Sequence, residues 1–316
     1  MKFDVVIGNP PYQTMNAGEN SAKPLYHHFV NAAKKLNVDK IVMIIPARWY
    51  AVGFELCQFR RSMADGHLKK LVDFESGKDC FAEVCIAGGV CYFLWDRNYK
   101  GPCEVVNIPD RGCPSATRRL NEYPVIVRYN GAVPILRKIL GKRAQSLSTM
   151  IRRAPYQLPT SFRGGDAPNQ ITVFSSAGKS HITEKELPSG HEHLKFYHAM
   201  FSGISAEFSC EPDENHQFKI LSPTMRILCP NEVCTDSYRL AGEFRDKQTA
   251  ENLMSYLQTK FVRFLMRLCM TGINITEKTF LFVPIQDFTK PWTDKELYQK
   301  HDLTDKEIEY IEAIIK

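Results

Sequence analysis

Short apolar runs alternate with amphipathic stretches along the first hundred or so residues of the chain. An uninterrupted apolar run of about four to eight residues is typical of a buried strand, whereas apolar positions three or four residues apart indicate a helix. By this criterion we predict helices over residues 24–36 and 54–63. The predicted strands cover residues 3–8, 40–46, 68–74, 89–95 and 104–108. Such alternation favours a parallel-type α/β sheet with a functional site where the strands end.

The pattern changes after about residue 110. Proline, glycine, serine and asparagine interrupt residues 146–183, and the apolar runs become short. These runs cover residues 171–174, 218–221, 225–228 and 239–244. We therefore expect two domains, residues 1–117 and residues 118–316, of which the second is α+β.

Three longer elements are predicted in the last third of the chain. Leucine and phenylalanine at helical spacing predict one long helix over residues 249–269, and a following apolar run predicts a strand over residues 280–284. A final helix is predicted from Asp305, with Thr304 as its N-cap and Glu307 completing a capping box.

The composition is that of an ordinary globular protein, with 44% hydrophobic and 24% charged residues. No apolar run approaches the roughly 18–20 residues of a membrane-spanning helix, and the N-terminus lacks the pattern of a secretion signal. The ten cysteines include no Cys-x-x-Cys pair, and His191, His193 and His198 have no second cluster of ligand residues. We therefore expect a soluble cytoplasmic protein with reduced cysteines, without a metal site and without a membrane partner.

Positive charge is concentrated in one window of the chain. Between residues 118 and 153, nine basic residues accompany the single acid Glu122, so this window carries a net +8 in a chain of net +6. Clustered arginine and lysine supply the counterion release that drives binding to nucleic-acid phosphates. A solvated helix face followed by a linker is the alternative interpretation. The nine candidate DNA-binding residues are Arg118, Arg119, Arg128, Arg137, Lys138, Lys142, Arg143, Arg152 and Arg153.

The clearest chemistry lies in Asn9, Pro10, Pro11 and Tyr12, directly after the first predicted strand. The exocyclic amine of adenine is a poor nucleophile because its lone pair is delocalised into the ring. Two hydrogen-bond acceptors, the Asn9 side-chain oxygen and the Pro10 carbonyl, would favour a tetrahedral nitrogen, and proline stiffens the turn that aims them. Tyr12 offers an aromatic face to a base taken out of the double helix. A tight Pro-Pro turn without a chemical role is the alternative.

Residues 3–13 resemble the catalytic motif of the DNA adenine-N6 methyltransferases of restriction–modification systems. Residues 25–29 and 44–49 are similar to segments that follow this motif in the family, and residues 239–244 and 282–292 are similar to its target-recognition half. The resemblance implies methyl transfer from S-adenosyl-L-methionine to a flipped adenine in double-stranded DNA. The site residues that it implies are Asn9, Pro10, Pro11 and Tyr12 for catalysis, Tyr12 and Phe81 for stacking on the target base, and Leu25 and Phe29 for the adenine ring of the cofactor.

The chain departs from the family pattern in one respect. In the family, a glycine-rich cofactor loop and its acidic ribose partner precede the motif, whereas here Met1 and Lys2 alone precede it, and no Gly-x-Gly occurs among the 18 glycines. We therefore expect a partial Rossmann-like methyltransferase sheet with an incomplete cofactor site, whose first strand is left as an edge. A polypeptide that supplies the cofactor-binding half, self-association through this strand, or a later segment of the chain would then cover the edge.

Three functions from different classes remain open. The first is the catalytic and DNA-recognition portion of an adenine methyltransferase that needs another polypeptide for cofactor binding. The second is a non-catalytic DNA-binding specificity module or remnant of a restriction–modification protein. The third is a methyltransferase that uses the same loop on glutamine amides or RNA. The basic window and the large second domain favour DNA over a protein glutamine.

Overall fold

Contacts between residues divide the chain into two units. The first unit contains the chain up to Pro134 and two short later pieces, residues 211–212 and 270–272, and the second unit contains the remainder. Residues 118–134, which the predicted boundary assigns to the second domain, make their contacts within the first unit. We describe the molecule from a computed structural model, which covers residues 3–14, 22–51, 54–84, 86–165, 171–207 and 211–316.

Regular structure in the described chain consists of short strands and seven α-helices. The strands are β1 (Val5–Gly8), β2 (Gln13–Thr14), β3 (Lys23–Pro24), β4 (Lys40–Pro46), β5 (Leu68–Phe74), β6 (Val90–Asp96), β7 (Cys103–Ile108), β8 (Ser115–Arg118), β9 (Ile151–Arg153), β10 (Ile171–Ser175), β11 (Gly178–Ile182), β12 (Tyr197–Ser202), β13 (Arg226–Leu228), β14 (Glu232–Cys234) and β15 (Tyr238–Phe244). The helices are α1 (Tyr26–Lys35), α2 (Phe54–Met63), α3 (Ala132–Gly141), α4 (Lys247–Gln258), α5 (Lys260–Arg267), α6 (Asp294–Lys300) and α7 (Asp305–Ile314).

The first unit is built on a six-stranded sheet with the strand order β1-β4-β6-β5-β7-β8. β1 is parallel to β4 and β5 is parallel to β7, but β6 and β8 are antiparallel to their neighbours. The predicted α/β class is confirmed, whereas the parallel-type sheet is wrong because the sheet is mixed. A parallel return usually passes through a crossover helix. The described part of the connection from β5 to β6 instead forms a single 3-10 turn at Gly77–Asp79.

The helices α1 and α2 cover the apolar side chains of this sheet. Tyr26 and Val30 of α1 and Phe59 of α2 belong to one buried cluster with Ile41 of β4 and Phe93 of β6. The helices and strands predicted between residues 3 and 108 are present with small shifts at their ends, whereas β2, β3 and β8 were not predicted. Because α1 connects the parallel strands β1 and β4, their carboxyl ends lie at the same edge of the sheet.

The second unit contains a four-stranded sheet of order β13-β12-β15-β9 and a three-stranded sheet of order β11-β10-β14. Val173 and Phe174 of β10 share a buried cluster with Met200 of β12 and Leu240 of β15. The helices α4 to α7 follow these strands in the chain.

The predicted helix over residues 249–269 is wrong as a single element, because it is broken at Thr259. Thr259 is extended (φ −62°, ψ 149°) and acts as the N-cap of α5, its hydroxyl accepting a hydrogen bond from the Val262 N–H at 3.2 Å. The same hydroxyl donates to the Tyr256 carbonyl at 2.7 Å, which satisfies a group at the end of α4.

The predicted strand over residues 280–284 is also wrong. A 3-10 helix, Glu277–Phe280, occupies its start, and Pro284 forms only an isolated bridge with Ser146 within the described chain. Proline has no N–H to donate to a ladder, so this apolar run cannot continue as a paired strand. The final helix is confirmed: α7 begins at Asp305 and is capped by Thr304 and Glu307.

Among the described residues, no helix is both long and apolar enough to cross a membrane. These residues also contain no group of three or more histidine, cysteine, aspartate or glutamate side chains arranged to hold a metal ion. The described cysteines are free thiols.

Candidate active site

The candidate site begins where β1 ends. Gly8 pairs with β4, and the chain then turns through Asn9, which is exposed, and Pro10, which is buried. Proline restricts its own φ and the conformation of the residue before it, so this ring stiffens the turn. At the far end of the turn, the Tyr12 carbonyl accepts a hydrogen bond from the Leu25 N–H at 3.0 Å. The Asn9 residue is thus presented to solvent from a turn that is held at both ends.

Tyr12 is half-buried and follows the exposed Pro11. Its hydroxyl oxygen is buried and has no hydrogen-bond partner among the described residues. Burial raises the pKa of Tyr12 to about 12, and the thiols of Cys80 and Cys91 add to the rise. The phenol therefore stays neutral at physiological pH, and the ring can serve as an aromatic surface rather than as a base.

Phe81 is half-buried on the segment that joins β5 to β6, residues 75–89, which we call the 75–89 loop. Its N–H donates to the Gly77 carbonyl at 2.8 Å. A Cβ atom on Gly77 would lie 2.9 Å from the Cβ of Ile86, so glycine allows the loop to close on itself. The thiol of Cys80, the neighbour of Phe81, adds to the rise in the pKa of Tyr12.

Two residues from later in the chain, Glu211 and Thr271, fix segments next to this site. The Glu211 carboxylate accepts hydrogen bonds from the Ser76 hydroxyl and from the Gly77 N–H, the latter at 3.4 Å. The Thr271 hydroxyl donates to the carbonyl of Arg48 at 3.1 Å, in the turn after β4. The sequence pattern does not indicate either residue, because an isolated glutamate or threonine has no spacing signal and its partners lie far away in the chain.

Replacing Glu211 with alanine is expected to loosen the 75–89 loop without unfolding the protein. The change removes the acceptor of the Ser76 hydroxyl and of the Gly77 N–H, a local cost of about 1–3 kcal/mol. Hydrogen exchange at the Phe81 amide, followed by mass spectrometry, should accelerate by about tenfold or more. The Glu214→Ala variant, which removes an exposed carboxylate nearby, should exchange like the unmodified chain. Equal protection in both variants would contradict the assigned role of Glu211.

Arg118 and Arg128, two of the nine predicted DNA-binding residues, are buried. Arg128 forms an ion pair with Asp73 at 2.9 Å and donates to the Gly88 carbonyl at 2.5 Å. Burial alone would lower the pKa of Arg128, but the Asp73 carboxylate outweighs it and holds this pKa above its ordinary value. Arg118 donates to the Asn130 side chain at 3.0 Å. Both guanidinium groups are buried and have their partners inside the first unit, so neither lies on a surface that DNA could contact.

The other seven basic residues of the window differ in their partners. Three are paired with carboxylates of the second unit, at Lys138–Glu307 (2.6 Å), Lys142–Asp302 (2.7 Å) and Arg152–Glu243 (3.0 Å). Four others are exposed, namely Arg119, Arg137, Arg143 and Arg153. The acids that offset the window lie far from it in sequence, so its count of +8 overstates the positive charge that is available to phosphates.

The predicted cofactor contacts, Leu25 and Phe29, lie at the start of α1. Leu25 is half-buried and Phe29 is 43% exposed, whereas Tyr26 and Val30 of the same helix are buried in the core. An exposed phenylalanine ring offers an apolar face to an adenine ring. These two residues therefore offer an apolar surface at the start of α1, and no Gly-x-Gly occurs in the sequence.

β1 forms one edge of the first-unit sheet, as predicted. Within the described chain it pairs with β4 alone. Its side chains Val5 and Ile7 are 45% and 78% exposed, and Phe3 before it is 47% exposed. An exposed apolar edge with unpaired backbone groups is a template for another strand.

Comparison with known proteins relates the first part of the chain to one family. Residues 1–81 match the family described as Eco57I restriction-modification methylase. Over 106 residues the chain is 42% identical to an uncharacterized adenine-specific methylase of Mycoplasma pneumoniae. This match covers 32% of the chain and 25% of the relative, so it spans about a quarter of the relative's length. The first part of the chain is thus similar to the adenine methylases of restriction–modification systems.

Similar solved structures include two restriction enzymes. The type IIG restriction endonuclease BpuSI is 12% identical, with a TM-score of 0.37, and the match covers 98% of this chain and 53% of that protein. The type IIL restriction-modification enzyme MmeI, solved in complex with DNA, is 7% identical, with a TM-score of 0.46 and the same coverage of 98% and 53%.

Proposed function

We propose that the chain is the catalytic-loop and DNA-recognition portion of a site-specific DNA adenine-N6 methyltransferase. The observation that carries this proposal is the exposed Asn9 at the carboxyl end of β1, in a stiff turn that ends at the half-buried Tyr12. Ligands of α/β sheets bind at the carboxyl ends of the strands. The match of residues 1–81, which include this turn, to the Eco57I methylase family supports the proposal.

In this reaction, the two amine hydrogens of a target adenine donate to the Asn9 side-chain oxygen and to the Pro10 carbonyl. These hydrogen bonds would draw the nitrogen towards a tetrahedral geometry, so that its lone pair could form the new N–C bond while the sulfur–methyl bond of the donor breaks and its electron pair stays on sulfur. One amine proton would then leave to solvent. The neutral ring of Tyr12 and the ring of Phe81 stack on the base after it leaves the double helix. The burial of Tyr12 agrees with an aromatic role rather than a proton-transfer role.

S-adenosyl-L-methionine supplies an electrophilic methyl group when it is bound. Leu25 and Phe29 would contact its adenine ring from the start of α1, where Phe29 is exposed. We propose that the remaining contacts come from a segment that adds a strand to the open edge at β1. We further propose that the second unit binds double-stranded DNA and that the protein acts in the cytoplasm.

Methyl transfer to adenine tests this function. We expect N6-methyladenine in unmethylated genomic DNA when the chain is co-expressed with a polypeptide that contains a glycine-rich cofactor strand, measured by mass spectrometry of the digested DNA. DNA binding without methylation in every such combination would favour the non-catalytic specificity module. Methylation of a glutamine amide or of RNA, but not of DNA, would identify the other class of methyltransferase.

Replacing Ile7 with lysine is expected to prevent association through the β1 edge. A charge on an edge strand opposes the addition of another strand, and Ile7 is 78% exposed, so the chain itself should remain folded. In sedimentation velocity, the unmodified chain should self-associate as its concentration rises, and Ile7→Lys should remain monomeric.

The matched control is Ile204→Lys, at an isoleucine of the second unit that is 51% exposed. It should associate like the unmodified chain. If both lysine variants behave alike, the edge is not the contact surface.

A further inference from the structure

The second unit contains an open groove of about 330 Å³ between the β10–β11 hairpin and the strands β12, β13 and β15. Phe174 and Met200 are the buried apolar residues of its lining. Lys179, Arg226 and Thr224 are exposed residues of the same lining. No aspartate or glutamate is among the described residues that line it. The groove is therefore apolar inside and positive at its rim.

Arg226 and Lys179 converge on the ring of Phe174. The guanidinium carbon of Arg226 is 4.0 Å from the ring centroid, and the Lys179 ammonium nitrogen is 5.4 Å from it. Within the described chain, neither side chain donates a hydrogen bond or forms an ion pair. This distinguishes them from Lys138 and Arg152 of the same unit, whose charges are paired with carboxylates.

Two cations at one ring without a counter-charge favour an anionic ligand. The contact with Phe174 holds the Arg226 guanidinium by its attraction to the aromatic face and leaves its N–H donors available. Guanidinium donors match the oxygens of a phosphate in a forked arrangement, and a neighbouring ammonium adds a point charge. An anion at the rim would also relieve the mutual repulsion of the two cations.

We propose that this groove binds a phosphodiester group of the DNA backbone through Arg226 and Lys179. This inference rests on the proposed function, which makes double-stranded DNA the substrate. The ring of Phe174 is only 5% exposed and already carries the two cations, so it has no free face for a base. The contact therefore fixes the position of the DNA and does not read its sequence. Both residues lie outside the basic window, and only the fold brings them together.

The salt dependence of DNA binding tests the groove. Binding of a mixed-sequence duplex by the full chain is followed by fluorescence anisotropy over a range of salt concentrations. The double variant Lys179→Ala/Arg226→Gln should bind about tenfold or more weakly, and the slope of log K against log salt should fall by about two units, close to one for each lost phosphate contact. Arg226→Lys keeps the charge and should keep the slope. Circular dichroism melting verifies that each variant is folded.

The matched control is Lys185→Ala/Lys306→Ala, which removes two exposed cations of the same unit that do not line the groove. It should leave the slope unchanged. If the groove variant and this control have the same slope, the groove proposal is wrong, while methylation of DNA would still support the proposed function. If the unmodified chain does not bind duplex DNA at about 50 mM salt, both proposals are contradicted. The unmodified chain could instead bind inorganic phosphate tightly, and the groove variant could lose this binding while its DNA affinity stays the same. That result would assign the groove to a small phosphate ligand and overturn the DNA contact.

Discussion

Replacing Asn9 with alanine is expected to slow methyl transfer to adenine by at least about 100-fold in the reconstituted enzyme, the usual effect of removing one positioned group that stabilises a transition state. The loss follows because the amine keeps only one of its two acceptors, the Pro10 carbonyl. Asn9 is exposed, so stability and DNA affinity should change little. Initial rates of N6-methyladenine formation, measured with saturating DNA, give the size of the effect.

The matched control is Asn98→Ala, at an exposed asparagine in the turn after β6. Its rate should equal that of the unmodified enzyme. Asn9→Asp keeps an acceptor and should lie between the two. If Asn9→Ala and Asn98→Ala have equal rates, Asn9 is not a catalytic residue and the proposed chemistry of the loop fails.

Replacing Arg128 with methionine is expected to destabilise the protein by about 3–5 kcal/mol, because the change leaves the buried carboxylate of Asp73 without its cation. The two side chains are 5% and 2% exposed and their charged atoms lie 2.9 Å apart. Arg128 also donates to the Gly88 carbonyl, so the 75–89 loop should lose protection from hydrogen exchange. Urea denaturation measures the free energy of unfolding.

The double variant Asp73→Asn/Arg128→Met should recover part of this loss, since it removes the uncompensated charge together with its partner. Lys70→Ala is the control on the same strand, because its ion pair with Glu104 is largely exposed (3.0 Å; side chains 41% and 46% exposed). An exposed pair contributes about 0–1 kcal/mol. If Arg128→Met is no more destabilising than Lys70→Ala, the buried pair does not stabilise the fold as proposed.

The elements of the first half are predictable because each apolar run ends at proline, glycine or a polar turn. The direction of β6 is not, since the pattern of a buried strand is the same in a parallel and an antiparallel sheet. The break at Thr259 is equally hidden, because the apolar spacing continues through it from α4 into α5. α4 ends because the hydroxyl of Thr259 caps the following helix, α5.

The candidate site shows the same limit. Asn9 and Tyr12 can be identified from local sequence because the turn that positions them is local. The burial of Arg128 could not be predicted, since its partner Asp73 lies on another strand. The pairing of Arg226 and Lys179 over Phe174 depends on the meeting of β13 with the β10–β11 hairpin, which the sequence pattern does not specify. Counting charge along the chain therefore included the buried Arg118 and Arg128. It left out Lys179 and Arg226, which are exposed.

The two short pieces that return to the first unit limit how the second unit can be exchanged by recombination. A chimera that takes everything after Pro134 from a relative would also replace Glu211 and Thr271, which belong to the first unit. The Thr271 carbonyl lies 2.3 Å from the position that a Cβ on Gly88 would occupy. The contact between Gly88 and Thr271 therefore leaves no space for a side chain at position 88. A successful exchange would use several crossover points and keep residues 211–212 and 270–272 of the original chain. The same restriction applies to the evolution of the second unit. Residues 211–212 and 270–272 should change together with the 75–89 loop, which Glu211 and Thr271 contact, rather than with their neighbours in the sequence.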